Sequence, residues 1–299
     1  MTGSLLPSIW LGAFASAEDW QQARQAKQVP TARALCGAIE DRVLWSRHPM
    51  DIEAWCSACE SIQPMHVDWR LGGIAADGSV HPAWTETAAC RGCGLNSRMR
   101  ALLDRLRKLE LPRDSRVYIA ECVTASFRQL ERLYPRLVGS EFLGMDRVSG
   151  ETYWNEQHRQ HLRHEDLTRL SFVDDSFDLV ISQDIFEHIP DFARAFSECR
   201  RVLRRGGRLV FSVPFFPGQA ETEIRARFTA NGTLEHLLPA EYHGDPVGDG
   251  GVLCFQHFGW DLLDRLREAG FGEVRAHLYW GPWQGHFGLP FFVFQADAN

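Results

Sequence analysis

The sequence has no apolar run long enough to cross a bilayer: stretches such as Leu289 to Phe294 fall far short of the roughly 20 residues that a spanning helix needs. It also lacks an excess of positive charge. Lys and Arg number 32 against 39 Asp and Glu, a formal charge of −7, which weighs against a dedicated binder of the phosphate backbone and favours small neutral or cationic partners. No internal repeat and no low-complexity tract is present, and with 44% hydrophobic and 24% charged residues the 299-residue chain is not disordered, collagen-like or fibrous. The apolar stretch Leu5 to Phe14 followed by Ala15-Ser16-Ala17 imitates an export signal, but no Lys or Arg precedes it and Pro7 and Gly12 interrupt it. The expectation is a cytoplasmic protein with no membrane partner.

What is present is a cysteine pattern. Cys56-Ser-Ala-Cys59 and Cys90-Arg-Gly-Cys93 are two Cys-x-x-Cys units, whereas Cys36, Cys122, Cys199 and Cys254 stand alone. A Cys-x-x-Cys turn sets two soft thiolates on one side of a knuckle, and two knuckles complete a tetrahedron for structural Zn2+. A redox pair or two disulfides are the competing readings. His66 and His81 lie inside the insert but are left out, since four thiolates already close the site. Between the units, Gly72-Gly73 and Asp77-Gly78 signal hairpins in a segment too Gly-rich to build a core of its own. Before them, Ser16 to Lys27 and Thr31 to Arg42 read as short helices, the first opening with Glu18 and Asp19. The expected organisation is an N-terminal helical segment over 1–50, a zinc ribbon over 51–96 and a larger domain over 97–299.

That larger domain alternates helix and strand. Ser97 to Leu109 is a helix whose apolar face carries Leu102, Leu103 and Leu106, with Arg98, Arg100, Arg105, Arg107 and Lys108 expected on a solvated face. Strands follow at Arg116 to Glu121, Leu137 to Phe142, Phe177 to Gln183 and Arg208 to Val213, with helices at Thr124 to Leu133 and Asp191 to Leu203. Trp260 to Ala269 is a helix stopped by Gly270, and strands are expected at Glu273 to Tyr279 and Pro290 to Phe294. This alternation predicts an α/β fold: a Rossmann-like, doubly wound, mostly parallel sheet with an antiparallel C-terminal strand. Such sheets bind ligands beyond the carboxyl ends of their strands, where Glu121, Glu141, Asp166, Gln183 and Asp184 form a polar rim.

Two stretches carry a resemblance. Asp166-Leu-Thr-Arg-Leu-Ser-Phe-Val-Asp-Asp-Ser-Phe-Asp-Leu-Val-Ile-Ser-Gln-Asp-Ile-Phe-Glu-His-Ile-Pro190, continued by Arg201-Val-Leu-Arg-Arg-Gly-Gly-Arg-Leu-Val-Phe-Ser-Val-Pro214, resembles the class I S-adenosylmethionine-dependent methyltransferases. The cysteine pairs before Gly94-Leu-Asn-Ser-Arg98 further resemble a bacterial subgroup that carries a zinc ribbon ahead of the catalytic domain. The resemblance implies S-adenosylmethionine as cofactor, with Glu141 on its ribose, Asp166 and Leu167 at its adenine, Ala120 and Glu121 near its methionine end, and Ser182, Gln183 and Asp184 beside the methyl. It departs at one place: the first strand should run into a Gly-x-Gly turn, but the chain reads Glu121-Cys-Val-Thr-Ala-Ser-Phe127. Thr124 is the candidate to cap the next helix and aim amides at the cofactor.

Methyl transfer from a sulfonium is an in-line displacement that rests mainly on alignment, with a base needed when the acceptor carries a proton. His188, in Glu187-His188-Ile189-Pro190, is the first candidate base. Tyr242 and His243 come second, from an insertion at about 215–258 read as a lid that sets acceptor specificity. His257, Trp280, Trp283, His286 and Phe287 are further pocket candidates, with core packing the better account of the aromatics. The leading expectation is methylation of oxygen or nitrogen on a small molecule, a natural product or sugar. The alternatives are a zinc-ribbon RNA-binding protein or RNA methyltransferase that uses the Arg98 to Arg107 face, and a degenerate scaffold. A dinucleotide dehydrogenase would need a Gly-rich first turn and a Tyr-Lys pair, and neither is visible.

Overall fold

The computed structural model describes residues 10–74, 78, 80–248 and 250–299, so the start of the Leu5 to Phe14 stretch and Asp77 of the Asp77-Gly78 turn lie outside it. The chain divides into two compact units. One holds the described residues up to Glu110 together with His277–Val293, and the other holds Leu111–Ala276 and Phe294–Asn299. The expected boundary between 96 and 97 therefore falls inside the first unit.

The first unit opens with strand β1 (Trp10–Phe14) and helices α1 (Ala17–Gln25) and α2 (Gln28–Val43). Ser16 caps α1 by accepting from the Asp19 amide, and Trp20 packs edge-on against Phe14 and Phe292 at 5.2 and 5.5 Å. Strands β2 (Met50–Cys56) and β3 (Ser61–Val67) form an antiparallel hairpin, to which β4 (Ala89–Cys90) adds at Met65 and His66. Along β2 burial alternates residue by residue, as one covered sheet face requires. Contrary to the expectation of a coreless segment, Met50, Ile52, Met65 and Val67 share a buried cluster with Trp84 and Phe287. Phe287 comes from far down the chain, so its contribution could not be read locally.

Helix α3 (Ser97–Arg107) completes this unit, capped by Asn96, which accepts from the Met99 amide at 2.9 Å. Its basic residues are not simply solvated. Arg100 is 0% exposed and donates to the carbonyls of Ala88, Gln284 and Gly285. Arg98 pairs with Glu86 at 3.0 Å and Arg107 with Glu60. Ser97 bonds His286 Nδ1 at 2.9 Å in the same buried region.

The second unit is built on a sheet. Its elements are β5 (Arg116–Ile119), α4 (Ala125–Leu133), β6 (Arg136–Gly139), β7 (Phe177–Gln183), α5 (Phe192–Val202), β8 (Leu203–Ser212) and α6 (Asp261–Glu268), together with the start of β9 (Val274–Gly281) and the end of β10 (His286–Asp297), strands whose residues from His277 to Val293 belong to the first unit. The strand order runs β6-β5-β7-β8-β10-β9-β1. Strands β6, β5, β7 and β8 are mutually parallel, and β10 runs antiparallel to β8 from Arg208↔Asp297 to Phe211↔Phe294. This is the expected Rossmann-like, mostly parallel sheet. Every residue of β7 is buried, as befits a parallel strand covered on both faces. On α5, Phe192, Phe196 and Cys199 turn the buried face inward, and α6 does the same with Leu262, Leu263 and Leu266.

Two details differ from the expected strands. β8 begins at Leu203 rather than Arg208: pairing jumps from Leu203 to Arg208 while β7 advances only from Phe177 to Leu179, and Gly206 at φ +75° lets the extra residues loop out. β6 ends at Gly139, beyond which Glu141 meets His164 in a single parallel bridge. Residues 152–163, for which no element was expected, form a separate antiparallel hairpin. The insertion is a set of short antiparallel pairs, among them Tyr242–His243 with Val252–Leu253 and Glu223–Ile224 with Gln256–His257. Among the described residues no helix is long and apolar enough to cross a membrane.

Candidate active site

Parallel strands β5, β6, β7 and β8 end side by side, and their carboxyl ends carry buried polar groups. Ala120 continues from β5, its amide donating to the Ile181 carbonyl at 3.0 Å, and Glu121 beside it is buried. Thr124 caps α4, its hydroxyl accepting from the Phe127 amide at 3.2 Å. Glu141, past the end of β6, directs Oε1 at the amides of Cys122 and Val123, at 2.7 and 3.1 Å. Burial raises its pKa, and those two amides oppose the rise. The turn after β5 therefore lacks glycine but is tied down by a carboxylate that follows the neighbouring strand.

On β7 and β8 the polar groups have no internal use. Ser182 Oγ, both amide atoms of Gln183 and Ser212 Oγ are buried and have no hydrogen-bond partner among the described residues. Gln183 is 6% exposed and pairs in register with Ser212. Unpaired buried amides and hydroxyls cost stability, so a cluster of them at strand ends fits a polar ligand such as S-adenosylmethionine. Asp184 follows at φ +48°, its amide on the Ser212 carbonyl at 2.9 Å. Asp166 folds its carboxylate onto the Thr168 amide and hydroxyl at 2.8 and 2.7 Å, which presents buried Leu167 between them.

One turn further on, residues 186–189 carry the candidate base. The insertion clamps this turn: Gln256 Nε2 donates to the carbonyls of Phe186 and Ile189 at 2.6 and 3.0 Å, and the Phe255 amide donates to the Glu187 carbonyl at 2.7 Å. His188 Nδ1 donates to the Leu253 carbonyl at 2.8 Å, which leaves the lone pair on Nε2. His243 sits 4.9 Å away, ring centre to ring centre. Its Nε2 meets Glu241 Oε1 at 3.1 Å and its Nδ1 lies 3.6 Å from Glu187 Oε1. Glu187 leads the causes that raise the His243 pKa, with Glu241 adding to it, so this corner attracts positive charge. Glu187 is 0% exposed.

Tyr242 points outward at 58% exposure and is not part of this cluster. His257 lies beside Glu241 at 3.1 Å and stacks on Phe216. Trp280, His286 and Phe287 belong to the first unit: Trp280 is buried there, His286 is bonded to Ser97, and Phe287 packs on Trp84 at 4.7 Å, while Trp283 is largely exposed. Glu187 escaped the sequence reading as a functional residue, although its position next to His188 just past a buried strand was a usable signal.

The four paired cysteines converge in the first unit. Cys56 and Cys59 flank the β2–β3 turn, and Cys90 and Cys93 flank a turn closed by Gly94 at φ +77°. The Sγ atoms of Cys56 and Cys93 are 3.6 Å apart and those of Cys59 and Cys90 are 3.8 Å apart. Those separations are far beyond a disulfide bond and match the edge of about 3.8 Å that a tetrahedron with Zn–S near 2.3 Å requires. The neighbouring Cys93 thiol holds Cys56 down at about 5, so a thiolate forms readily.

Comparison with known proteins bears on the second unit. A family described as methyltransferase domain matches residues 122–211. A probable S-adenosylmethionine-dependent methyltransferase of Mycolicibacterium smegmatis is 42% identical over 65 residues, which cover 20% of this chain and only 25% of that relative. Among solved structures, an S-adenosylmethionine-dependent methyltransferase from Mesorhizobium loti is similar at 18% identity over 66% of this chain and 97% of its own, with a TM-score of 0.40. The Burkholderia thailandensis 1,6-didemethyltoxoflavin-N1-methyltransferase, solved with S-adenosylhomocysteine, is similar at 18% identity over 67% of this chain and 78% of its own, also at 0.40. Residues 122–211 of the second unit thus match a methyltransferase domain.

Proposed function

We propose that the protein transfers a methyl group from S-adenosylmethionine to an oxygen or nitrogen of a small molecule, a natural product or a sugar. The observation that carries this reading is the row of buried, unpartnered polar atoms on Ser182, Gln183 and Ser212 at the carboxyl ends of adjacent parallel strands. The matched methyltransferase domain spans most of that rim.

Bound there, S-adenosylmethionine supplies an electrophilic methyl on a sulfonium. Around it, Glu141 keeps one oxygen on the Cys122 and Val123 amides and offers the other to the ribose hydroxyls. Ala120, Glu121 and the capped start of α4 at Thr124 would hold the methionine end, Asp166 and Leu167 would bind the adenine, and Ser182, Gln183 and Asp184 would lie toward the methyl. His188 takes the acceptor's proton on Nε2, which its bond to the Leu253 carbonyl leaves bare. His243 and Tyr242 belong to the acceptor wall supplied by the insertion, His243 beside the base and Tyr242 at its outer edge. The cysteine quartet holds structural Zn2+, with all four positions filled by protein and no part in the chemistry. RNA as the acceptor is disfavoured, because Arg98, Arg100 and Arg107 are committed to partners within their own unit.

Isothermal titration with S-adenosylmethionine and S-adenosylhomocysteine tests the reading. Wild-type protein is expected to bind both, and Glu141→Ala to bind at least tenfold more weakly. Heat from neither ligand, or equal affinity in Glu141→Ala, overturns it.

A further inference from the structure

Glu187 presents a problem that the proton-transfer role of His188 does not solve. Its carboxylate is fully buried, and neither oxygen has a hydrogen-bond donor among the described residues. A buried carboxylate without donors is among the costliest arrangements in a protein interior. What faces it is two imidazole nitrogens: His188 Nε2 and His243 Nδ1, each 3.6 Å from Glu187 Oε1. That spacing is too long for a charge-assisted hydrogen bond, which closes to about 2.7–2.9 Å. It is close to the separation of about 3.4 Å between two ligands of one tetrahedral ion at bond lengths near 2.1 Å.

The outer nitrogens complete the pattern. His188 Nδ1 donates to the Leu253 carbonyl at 2.8 Å, and His243 Nε2 meets the Glu241 carboxylate at 3.1 Å. Each ring is held from behind, so that in its neutral form the nitrogen nearer Glu187 carries the lone pair. A backbone carbonyl or carboxylate behind a histidine is the usual support of a metal ligand. The neighbouring group of Glu241, Cys254 and His257 does not share this character, because His257 and Arg225 already pair with Glu241 at 3.1 and 3.2 Å.

We propose that Glu187, His188 and His243 bind a divalent first-row cation, with Glu241 as its supporting residue. The three donors form a two-histidine, one-carboxylate set, which leaves coordination positions open, and His243 at 30% side-chain exposure sets the open side toward solvent. The ligand class for that side is a small molecule bearing a hydroxyl. Coordination of its oxygen lowers the hydroxyl pKa, the proton passes to water, and no electron is exchanged. This extends the methyl-transfer reading and rests on it only for the identity of the acceptor; the metal site stands without it. With the cation in place, activation of the acceptor passes from the bare His188 imidazole to the ion.

Cobalt(II) chloride, added without methyl donor to full-length protein whose cysteine quartet is loaded with zinc, tests this directly. Wild-type protein is expected to bind one equivalent of cobalt with visible ligand-field bands and no thiolate charge-transfer band. His243→Ala and Glu187→Gln are expected to lose that equivalent, and Glu241→Gln to bind cobalt roughly tenfold more weakly. Circular dichroism of each variant, with the Glu241→Gln affinity series as a milder perturbation, separates loss of ligand from loss of fold. Absence of cobalt binding by wild type, or equal binding by all folded variants, overturns the proposal. If cobalt binds but titration with S-adenosylmethionine gives no heat, the methyl-transfer reading fails and the metal site remains; the reverse pair of results sinks only the metal site.

Discussion

Gly139 of β6 lies so close to Cys122 that a methyl group on its α-carbon would stand 2.8 Å from the Cys122 β-carbon, and equally close to the Glu121 carbonyl oxygen. The same methyl would collide with the Phe127 ring. The turn after β5 is thus allowed its tight path by a glycine on the adjacent strand, while Glu141 fixes it through two amides.

Gly139→Ala is therefore expected to destabilise the second unit by about 1–3 kcal/mol, the range for an added methyl in a packed site. Affinity for S-adenosylmethionine is expected to fall with it. Thermal unfolding and calorimetry check both; a variant with unchanged melting temperature and affinity contradicts the role given to this contact.

Arg100 carries a second prediction. Its guanidinium is completely buried and serves the carbonyls of Ala88, Gln284 and Gly285. Replacement by Met keeps much of the volume but leaves buried acceptors unsatisfied, at a cost of about 1–3 kcal/mol for each that finds no water. Arg113→Met, at an exposed position, is the control. Chemical denaturation is expected to show a clear loss for the first variant and little change for the second.

The cysteine quartet predicts zinc content. Cys59→Ser and Cys90→Ser are each expected to lose the thiolate-bound zinc and to lower the melting temperature of the first unit, whereas Cys199→Ser, a lone buried thiol of α5, keeps the metal. Elemental analysis after dialysis decides. Gly92→Ala is expected to weaken zinc retention as well, since its new methyl would stand 3.1 Å from Cys59 Sγ.

Acid stability follows from Glu198. The Arg201 guanidinium, which grips it at 2.7 and 2.9 Å, holds its carboxyl below the usual carboxylate range. A folded-state value below the unfolded value, near 4.3, means that the stabilisation is whole above about pH 5 and drains away as pH falls through the depressed folded value. Glu198→Gln is expected to flatten that acid limb. Equal acid-unfolding profiles for variant and wild type would refute it.

The sheet was largely legible because its parallel strands write themselves as short apolar runs: Phe177–Gln183 was expected with the bounds it has. Both cysteine knuckles were legible from spacing, since each unit is local. Arg100 was not, because helical periodicity assigns it a polar face and cannot see that residues 284 and 285 cover that face with carbonyls. The turn after β5 was legible only in part. Thr124 was expected to cap α4 and does, but the clearance that Gly139 gives from another strand has no local signal. Glu187 was hidden by its own neighbour: beside a histidine at a strand end it looked like sequence context, and only the return of His243 from the insertion gives it meaning.

Gln256 ties the insertion to the core with a single side chain, its amide nitrogen shared between Phe186 and Ile189. Loss of that carboxamide would leave the turn bearing Glu187 and His188 held only by the Phe255 amide and the Leu253 carbonyl. Variation is thereby tolerated best in the stretch before residue 252, and a library randomised there is expected to yield folded protein far more often than one that includes position 256.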